Sequence, residues 1–498
     1  MDCMEWTSDW LTIDRDDRTA IYRQLADAIG WRIGTGDLPP GTRLPSERDL
    51  ARLLGISRTT AVSAYRELEA RGLVRGHVGR GTYVCAGPAE SGAPFAWRGK
   101  VALGAQRTVD GSLRTLARHG SDRAVISLAT GAGALDLFPI DTFRQLADRV
   151  LSRGTHAALG LGPTEGQPKL RRTIAARIGV NPERVLIVNG AQQGLDLISR
   201  CLIDPGDTVI MDRPGYLGAI QVFRAAGANV IGWDVERADP DELEDLLLRY
   251  RPKLLYTNPS YHNPTGRTLD LHERHNLLDL AVRYRLPVVE DDLYRDMWFG
   301  APAPPSLRQL DEHHLVIQVN TFSKTLAGGV RLGWITAAES IIDQLALAKQ
   351  RVDVASPSLE QLIVAEFINS RGYDDHLVTL RAAHRERHDA LLAAVRRHLP
   401  PGALTIAPVD GGLYFWGTTG TEIDTRDLLA AATEAGVVFV PGDVFYPTTI
   451  DGSGRHELRL CYSAVPPALI DEAIRRLAVA FETVRSQNVD RHAQPALV

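Results

Sequence analysis

Lysine is nearly absent from this chain: five residues against 51 arginines, in 498. Chemistry that needs a lysine amine therefore has few candidates. Cysteine is equally scarce. Cys3, Cys85, Cys201 and Cys461 lie far apart without metal-ligand spacing, which argues against a disulfide framework and fits free thiols in a reducing cytoplasm. No metal signature is present. No stretch approaches the roughly eighteen uninterrupted apolar residues of a membrane span. Residues 1–17 are acidic and carry no apolar run, so a secretory leader is not expected either, and the expected location is cytoplasmic.

What is present has the texture of a globular protein, 44% hydrophobic and 23% charged. The length suggests three units at about 150 residues each. Net charge is −5, yet residues 18–86 hold eleven arginines against six acids. A local basic surplus can be an electrostatic footprint for phosphates. Because arginine is favoured along the whole chain, charge alone decides nothing.

Residues 21–33 place Ile21, Leu25, Ala28, Ile29 and Ile33 at the three-to-four spacing of an amphipathic helix, with Gly34 and Gly36 expected to stop it. Ser46, followed by Glu47 and Asp49, reads as the cap of a second helix that carries Leu50, Leu53 and Leu54 and breaks at Gly55. Ser57 caps a third, with Ala61, Ala64, Tyr65 and Leu68 inward and Arg58, Thr59, Thr60, Ser63 and Arg66 mostly outward. Two short helices joined by a tight glycine turn form a helix-turn-helix, whose second helix presents its N-terminal residues to the bases of the major groove. Arg58 suits guanine O6 and N7, and the threonines suit phosphates or a thymine methyl. Short strands at 73–75 and 82–84 then flank a glycine-rich tip bearing Arg80, the pattern of a hairpin wing.

Three stretches carry a resemblance: Leu44-Pro45-Ser46-Glu47-Arg48-Asp49-Leu50-Ala51, Ser57-Arg58-Thr59-Thr60 and Gly79-Arg80-Gly81-Thr82-Tyr83-Val84. They resemble the GntR family of winged-helix regulators. That resemblance implies contact with double-stranded promoter DNA through Arg48, Arg58, Thr59, Thr60, His77 and Gly79.

Residues 87–122 have no sustained period and read as a linker after a first domain at 1–86. Beyond them the texture changes to short apolar runs at 184–188, 208–211, 254–257, 287–290 and 315–319, separated by helical patterns. That is the mark of an α/β fold with a doubly wound, mostly parallel sheet, which binds ligands at the carboxyl ends of its strands. The domain is expected to span 123–485, with a disordered tail at 486–498.

Of the five lysines, only Lys324 follows a buried strand in a turn, Thr321-Phe322-Ser323-Lys324-Thr325-Leu326-Ala327-Gly328-Gly329-Val330-Arg331. Hydroxyls and an arginine beside an amine suit a phosphate held next to a Schiff-base nucleophile. Four further motifs end other strands: Asn189-Gly190-Ala191-Gln192-Gln193-Gly194, Asp212-Arg213-Pro214-Gly215-Tyr216, Asn258 to Gly266, and Glu290-Asp291-Asp292-Leu293-Tyr294. Arg459 lies on a late strand. Each alone could be a turn, a cap or a core tyrosine. Together they supply what an electron-sink pyridine needs, namely a carboxylate, a stacking ring, a phosphate cup and a lysine.

This second unit resembles the fold-type I aminotransferases, with their smaller C-terminal α/β subdomain, and the whole chain looks like the MocR/GabR group of regulators. The resemblance implies pyridoxal 5'-phosphate as cofactor and an internal aldimine on Lys324. It also implies Asp291 at the pyridine nitrogen, Asn263 and Tyr294 at the phenolic oxygen, and Tyr216 stacking on the ring. Ala191, Gln192, Thr321, Ser323 and Arg331 would hold the phosphate, and Arg459 with Asn263 an amino acid or amine effector. A head-to-tail homodimer is implied as well. Leu161 stands where aminotransferases usually carry a tyrosine lent across the dimer. Tyr294, separated from the paired acids by Leu293, follows the aminotransferase pattern. One departure points to relaxed catalysis and the other to retained catalysis. A regulator that senses an amino acid, an amine or pyridoxal 5'-phosphate through the aldimine on Lys324 and alters promoter binding is the favoured reading, because a complete winged helix has no use in a metabolic enzyme. A working aminotransferase with a DNA-binding appendage, or a regulator whose cofactor is structural only, are the alternatives.

Overall fold

A computed structural model describes residues 13, 19–35, 37–39, 41–77, 81–85, 124–131, 133–447 and 453–493. They form two compact units, one within the first 106 residues and one in the remainder. The stretch read as a linker lies outside the described residues, and so does the boundary between the domains.

The first unit begins with α1 (Ile21–Thr35), which buries Leu25, Ala26 and Ile29. Gly34 does not stop it; the helix ends one residue later. A single glycine costs a helix only about 1 kcal/mol, and the packed apolar face of α1 outweighs that. Helix α2 (Glu47–Leu54) starts where Ser46 accepts the Asp49 amide at 3.2 Å, and it ends at Gly55 in the left-handed conformation. Helix α3 (Arg58–Ala70) starts where Ser57 accepts the Thr60 amide at 3.1 Å and buries Ala61, Ala64, Tyr65 and Leu68. The Tyr65 hydroxyl donates to the Pro45 carbonyl at 2.8 Å, tying α3 to the approach of α2. Strands β1 (Val74–His77) and β2 (Gly81–Val84) pair antiparallel, with Val74 opposite Val84 and His77 opposite Gly81. The wing strands are thus set toward the tip by one or two residues from the sequence reading, because His77 and Gly81 still pair.

The second unit is an α/β fold around a seven-stranded sheet. Its strands are β4 (Val185–Val188), β5 (Thr208–Arg213), β6 (Asn229–Asp234), β7 (Leu254–Thr257), β8 (Val288–Asp291), β9 (Val316–Thr321) and β10 (Gly333–Thr336). They lie in the order β4-β10-β9-β8-β7-β5-β6, all parallel except for β10, which runs antiparallel to both neighbours. Strands covered on both faces read as continuous apolar runs, which explains the burial of every residue of β4, β7 and β10.

A smaller antiparallel sheet follows, ordered β11 (Leu404–Ile406), β12 (Tyr414–Thr419), β15 (Glu457–Cys461) and β14 (Val440–Pro441). Its own core gathers Leu391, Phe415, Phe439, Tyr462, Ile474 and Phe481. Strand β3 (Ile126–Ser127), at the very start of the second unit, pairs parallel with β13 (Val437–Val438). Just past it, the Leu128 amide donates to Val438 and its carbonyl accepts from Cys461.

The last helix, Pro467–Ala493, corrects the expected tail: residues 486–493 are helical. No glycine or further proline interrupts this stretch, and the Asn488 amide group donates to the Glu422 carbonyl at 2.7 Å. Among the described residues, no helix is long and apolar enough to cross a membrane.

Candidate functional site

Strand alternation decides what each acid at the end of β8 can do, since successive side chains point to opposite faces. Asp291 faces one way. Glu290 and Asp292 face the other, where Gln318 donates to both at 3.1 Å and Arg295 pairs with Asp292 at 2.6 Å. Glu290 is also capped by the amides of Leu307 and Arg308, and burial together with Asp292 raises its pKa.

Asp291 is 2% exposed. One oxygen accepts the Tyr256 hydroxyl at 2.6 Å; the other, Oδ1, is buried without a partner. Burial pushes its carboxyl up to about 7, outweighing the lowering influence of the Tyr256 hydrogen bond and of Lys324. An acceptor that lacks a donor in a buried place fits a protonated ring nitrogen.

Lys324 follows β9 and donates its amine to the Gly131 carbonyl, with Nζ 5.9 Å from the centre of the Tyr294 ring. Residue 131 has to be glycine: a Cβ there would stand 2.1 Å from the Tyr414 hydroxyl. Tyr294 is buried, its ring edge-on to Tyr414 with the two hydroxyls 3.2 Å apart, and burial pushes its phenol well above the ordinary range. Asn263 donates to the Tyr294 hydroxyl at 3.3 Å and accepts from Arg459 at 2.8 Å. The second terminal nitrogen of Arg459 reaches the Ala129 carbonyl at 2.8 Å, while Nε is buried without an acceptor. The guanidinium stacks 4.3 Å above Tyr414 and 5.1 Å from Phe445.

A cavity of 240 Å³ brings these groups together, lined by Ala129, Gly131, Tyr216, Asn263, Tyr294, Lys324, Tyr414, Phe445 and Arg459 among others. Tyr216 sits at the N-cap of the helix Leu217–Ala225 and donates to the Gln192 side chain at 3.2 Å.

Beside it is an anion cup. The helix Ala191–Leu202 is preceded by Gly190 at φ 83, and no side chain caps it, so the amides of its first turn stay open to an anion. A side chain at 190 would meet the Arg331 guanidinium at 3.0 Å. Arg331 donates to the Asn189 carbonyl at 2.9 Å. The hydroxyls of Thr321 and Ser323 stand 3.0 Å apart on the facing turn.

Several residues that organise the site escaped the sequence reading. Asn258 donates to the Asp291 carbonyl and accepts the Asn263 amide at 2.7 Å, so one side chain aligns both. Tyr256 read as a plain strand residue, and Tyr414 and Gly131 belong to no motif. Lys349, another of the five lysines, is fully buried.

In the first unit, Arg48, Arg58 and Thr59 are exposed at the starts of α2 and α3, and Thr60 is half-buried with its hydroxyl 2.8 Å from Ser57 Oγ. Arg52 and Arg71 are paired with acids, whereas Arg48 and Arg58 have no ion pair among the described residues. His77 ends β1; Gly79 and Arg80 lie outside the described residues.

A winged helix joined to an aminotransferase-type cofactor domain is the class that these two units define. Residues 21–84 match the family described as bacterial regulatory proteins of the gntR family, and residues 124–477 match aminotransferase class I and II. The uncharacterized HTH-type transcriptional regulator YisV of Bacillus subtilis is 30% identical, over 96% of this chain and 98% of its own length. The probable rhizopine catabolism regulatory protein MocR of Rhizobium meliloti is 31% identical, over 96% and 97%. Among solved structures, the α-aminoadipate aminotransferase LysN of Thermus thermophilus, complexed with N-(5'-phosphopyridoxyl)-L-leucine, is 35% identical with a TM-score of 0.74, over 78% of this chain and 99% of that one. The chain belongs to the aminotransferase class I and II family and, through its GntR head, to the MocR-type DNA-binding transcription regulators, whose cofactor is pyridoxal 5'-phosphate.

Proposed function

We propose that this protein is a cytoplasmic regulator that binds pyridoxal 5'-phosphate in the 240 Å³ cavity, senses an amino acid or amine there, and changes its hold on promoter DNA in response. The observation that carries the reading is Lys324 and Arg459 in one cavity, with Asp291, whose Oδ1 is unpartnered, near enough to Lys324 to feel its charge. When bound, the cofactor supplies a carbonyl that condenses with amines and a ring that withdraws electrons.

The residues present fit that group. Asp291 would hold the ring nitrogen, Asn263 and Tyr294 the phenolic oxygen, and Tyr216 one ring face. The amides of Ala191 and Gln192, the hydroxyls of Thr321 and Ser323, and Arg331 would hold the phosphate. Lys324 is the amine that holds and moves a proton between its nitrogen and the ligand's carbon. Arg459 orients the ligand through its carboxylate; each terminal nitrogen keeps a second N–H beyond those given to Asn263 and Ala129. An effector alters DNA binding only as far as it binds two conformations unequally.

On DNA, Arg58, Thr59 and Thr60 read the major groove while Arg48, His77 and Gly79 hold the backbone. We propose a head-to-tail homodimer; association itself is supported by Leu159 and Leu161, 66% and 83% exposed beside residues 355–359, where an apolar pair on an open surface suits a second copy. Turnover as an aminotransferase is the second reading, favoured by the presence of both Lys324 and Arg459 in one cavity.

The test is an absorption spectrum of the protein with pyridoxal 5'-phosphate and a panel of amino acids, with Lys324→Ala as control. A visible band that Lys324→Ala abolishes supports the site; identical spectra for the two proteins refute it. A band that an amino acid shifts and that persists without release of keto acid marks a sensor. Conversion to the pyridoxamine form, reversed by a keto acid, marks a transaminase.

A further inference from the structure

The phosphate cup is built on a backbone loop, and a loop holds geometry only as well as its supports. Those supports converge on one carboxylate. Asp353 directly follows the helix Glu339–Val352. Its Oδ2 accepts from the side-chain amides of Asn189 and Gln193, both at 2.6 Å. Gln193 in turn accepts the Asn189 backbone amide at 2.7 Å, and the Asn189 carbonyl accepts from Arg331 at 2.9 Å. Both ends of the 189–193 segment are therefore pinned to Asp353, with the open amides of Ala191 and Gln192 between them.

A lone carboxylate behind a phosphate site would repel the anion it helps to bind. Lys349, one turn back on the same helix and 0% exposed, meets Asp353 Oδ1 at 2.8 Å. A buried ammonium is costly unless it is paired. Here it neutralises the carboxylate while leaving both hydrogen bonds to the loop in place.

We infer that the Lys349–Asp353 pair is the positioning device of the phosphate cup. It sets how tightly the cofactor's phosphate is held without touching the cofactor. This rests on the proposed phosphate site. It implies that the pair governs the difference in affinity between pyridoxal 5'-phosphate and pyridoxal, which lacks the phosphate.

The experiment titrates both compounds into full-length apoprotein by the Lys324-dependent absorption band, for wild type, Asp353→Ala, Asp353→Asn and Lys349→Met. In Asp353→Ala, affinity for pyridoxal 5'-phosphate should fall about tenfold or more, the range seen when outer supports of a bound group are removed, with pyridoxal affinity nearly unchanged. Asp353→Asn, which keeps one acceptor oxygen, should lose less. Lys349→Met should also lose phosphate affinity, and combining it with Asp353→Asn should recover part of that loss, because the unpaired anion behind the cup is gone. Equal losses for both compounds mean general damage to the fold and overturn the inference, as does an unchanged ratio in all variants. A wild-type protein that shows no Lys324-dependent band with either compound overturns the cofactor site itself, and the positioning role with it.

Discussion

Replacing Asp291 by asparagine should stabilise the cofactor-free protein at neutral pH and leave it little changed in acid. The carboxyl stands at about 7 in the folded protein, against an ordinary value of 3.8. The folded state therefore binds the proton more tightly than the unfolded chain. Stability carried by this group falls as pH rises from about 4 to about 7 and is flat above that. At 1.36 kcal/mol per pH unit, the raised carboxyl lowers the stability of the folded apoprotein by about 4 kcal/mol at pH 8 and by about 2 kcal/mol at pH 5, where the unfolded chain ionises and the folded group does not. Asparagine fills the same space and never ionises. The variant's advantage over wild type should therefore grow by about 2 kcal/mol between pH 5 and pH 8, read from urea unfolding of the two apoproteins at both values. With cofactor present the order should reverse, because a protonated ring nitrogen held by Asp291 would favour the charged carboxylate. An advantage that is the same at both pH values would refute the assignment of Asp291 as a buried carboxylate waiting for a donor.

Arg459→Met should weaken binding of a carboxylate-bearing effector by about 2–5 kcal/mol, seen in spectral titration, and an unchanged affinity would remove Arg459 from the effector site. In gel-shift titrations, Arg58→Ala should cost about 1–3 kcal/mol and relax base preference at one position of the operator. Arg48→Ala should instead weaken all sequences alike and reduce the salt slope by about one; the opposite pattern would exchange their roles. Ser46→Ala and Ser57→Ala should each cost about 1 kcal/mol, measured as faster amide exchange confined to α2 and α3, and uniform exchange across the head would contradict the capping.

Features written in neighbouring residues were legible in the sequence. Ser46, Gly55 and Ser57 bound α2 and α3 because a cap satisfies amides within its own turn. The strand-end motifs were legible for a related reason: turn residues after an apolar run mark the ligand edge of a parallel sheet. Contacts between distant stretches were not. Tyr414 reaches Tyr294 from 120 residues away, and nothing in its own strand distinguishes it from a core tyrosine. Asn258 looked like one polar residue among several, and only the fold sets it under both Asp291 and Asn263. Lys349 and Asp353 have the spacing of an ordinary surface pair; their burial comes from elements packed around the helix. The final helix ran past the expected end because polar composition alone does not stop a helix that meets no glycine or proline.

Strand β3 gives the chain an unusual point of attachment. The chain of the second unit pairs first with β13, and Leu128 bonds to Val438 and to Cys461 of the smaller sheet, before the larger sheet begins. Arg459 stands on that same smaller sheet. Leu128 bonds to Cys461, two residues along β15 from Arg459, so the first stretch of the second unit is tied by hydrogen bonds to the strand that carries this guanidinium.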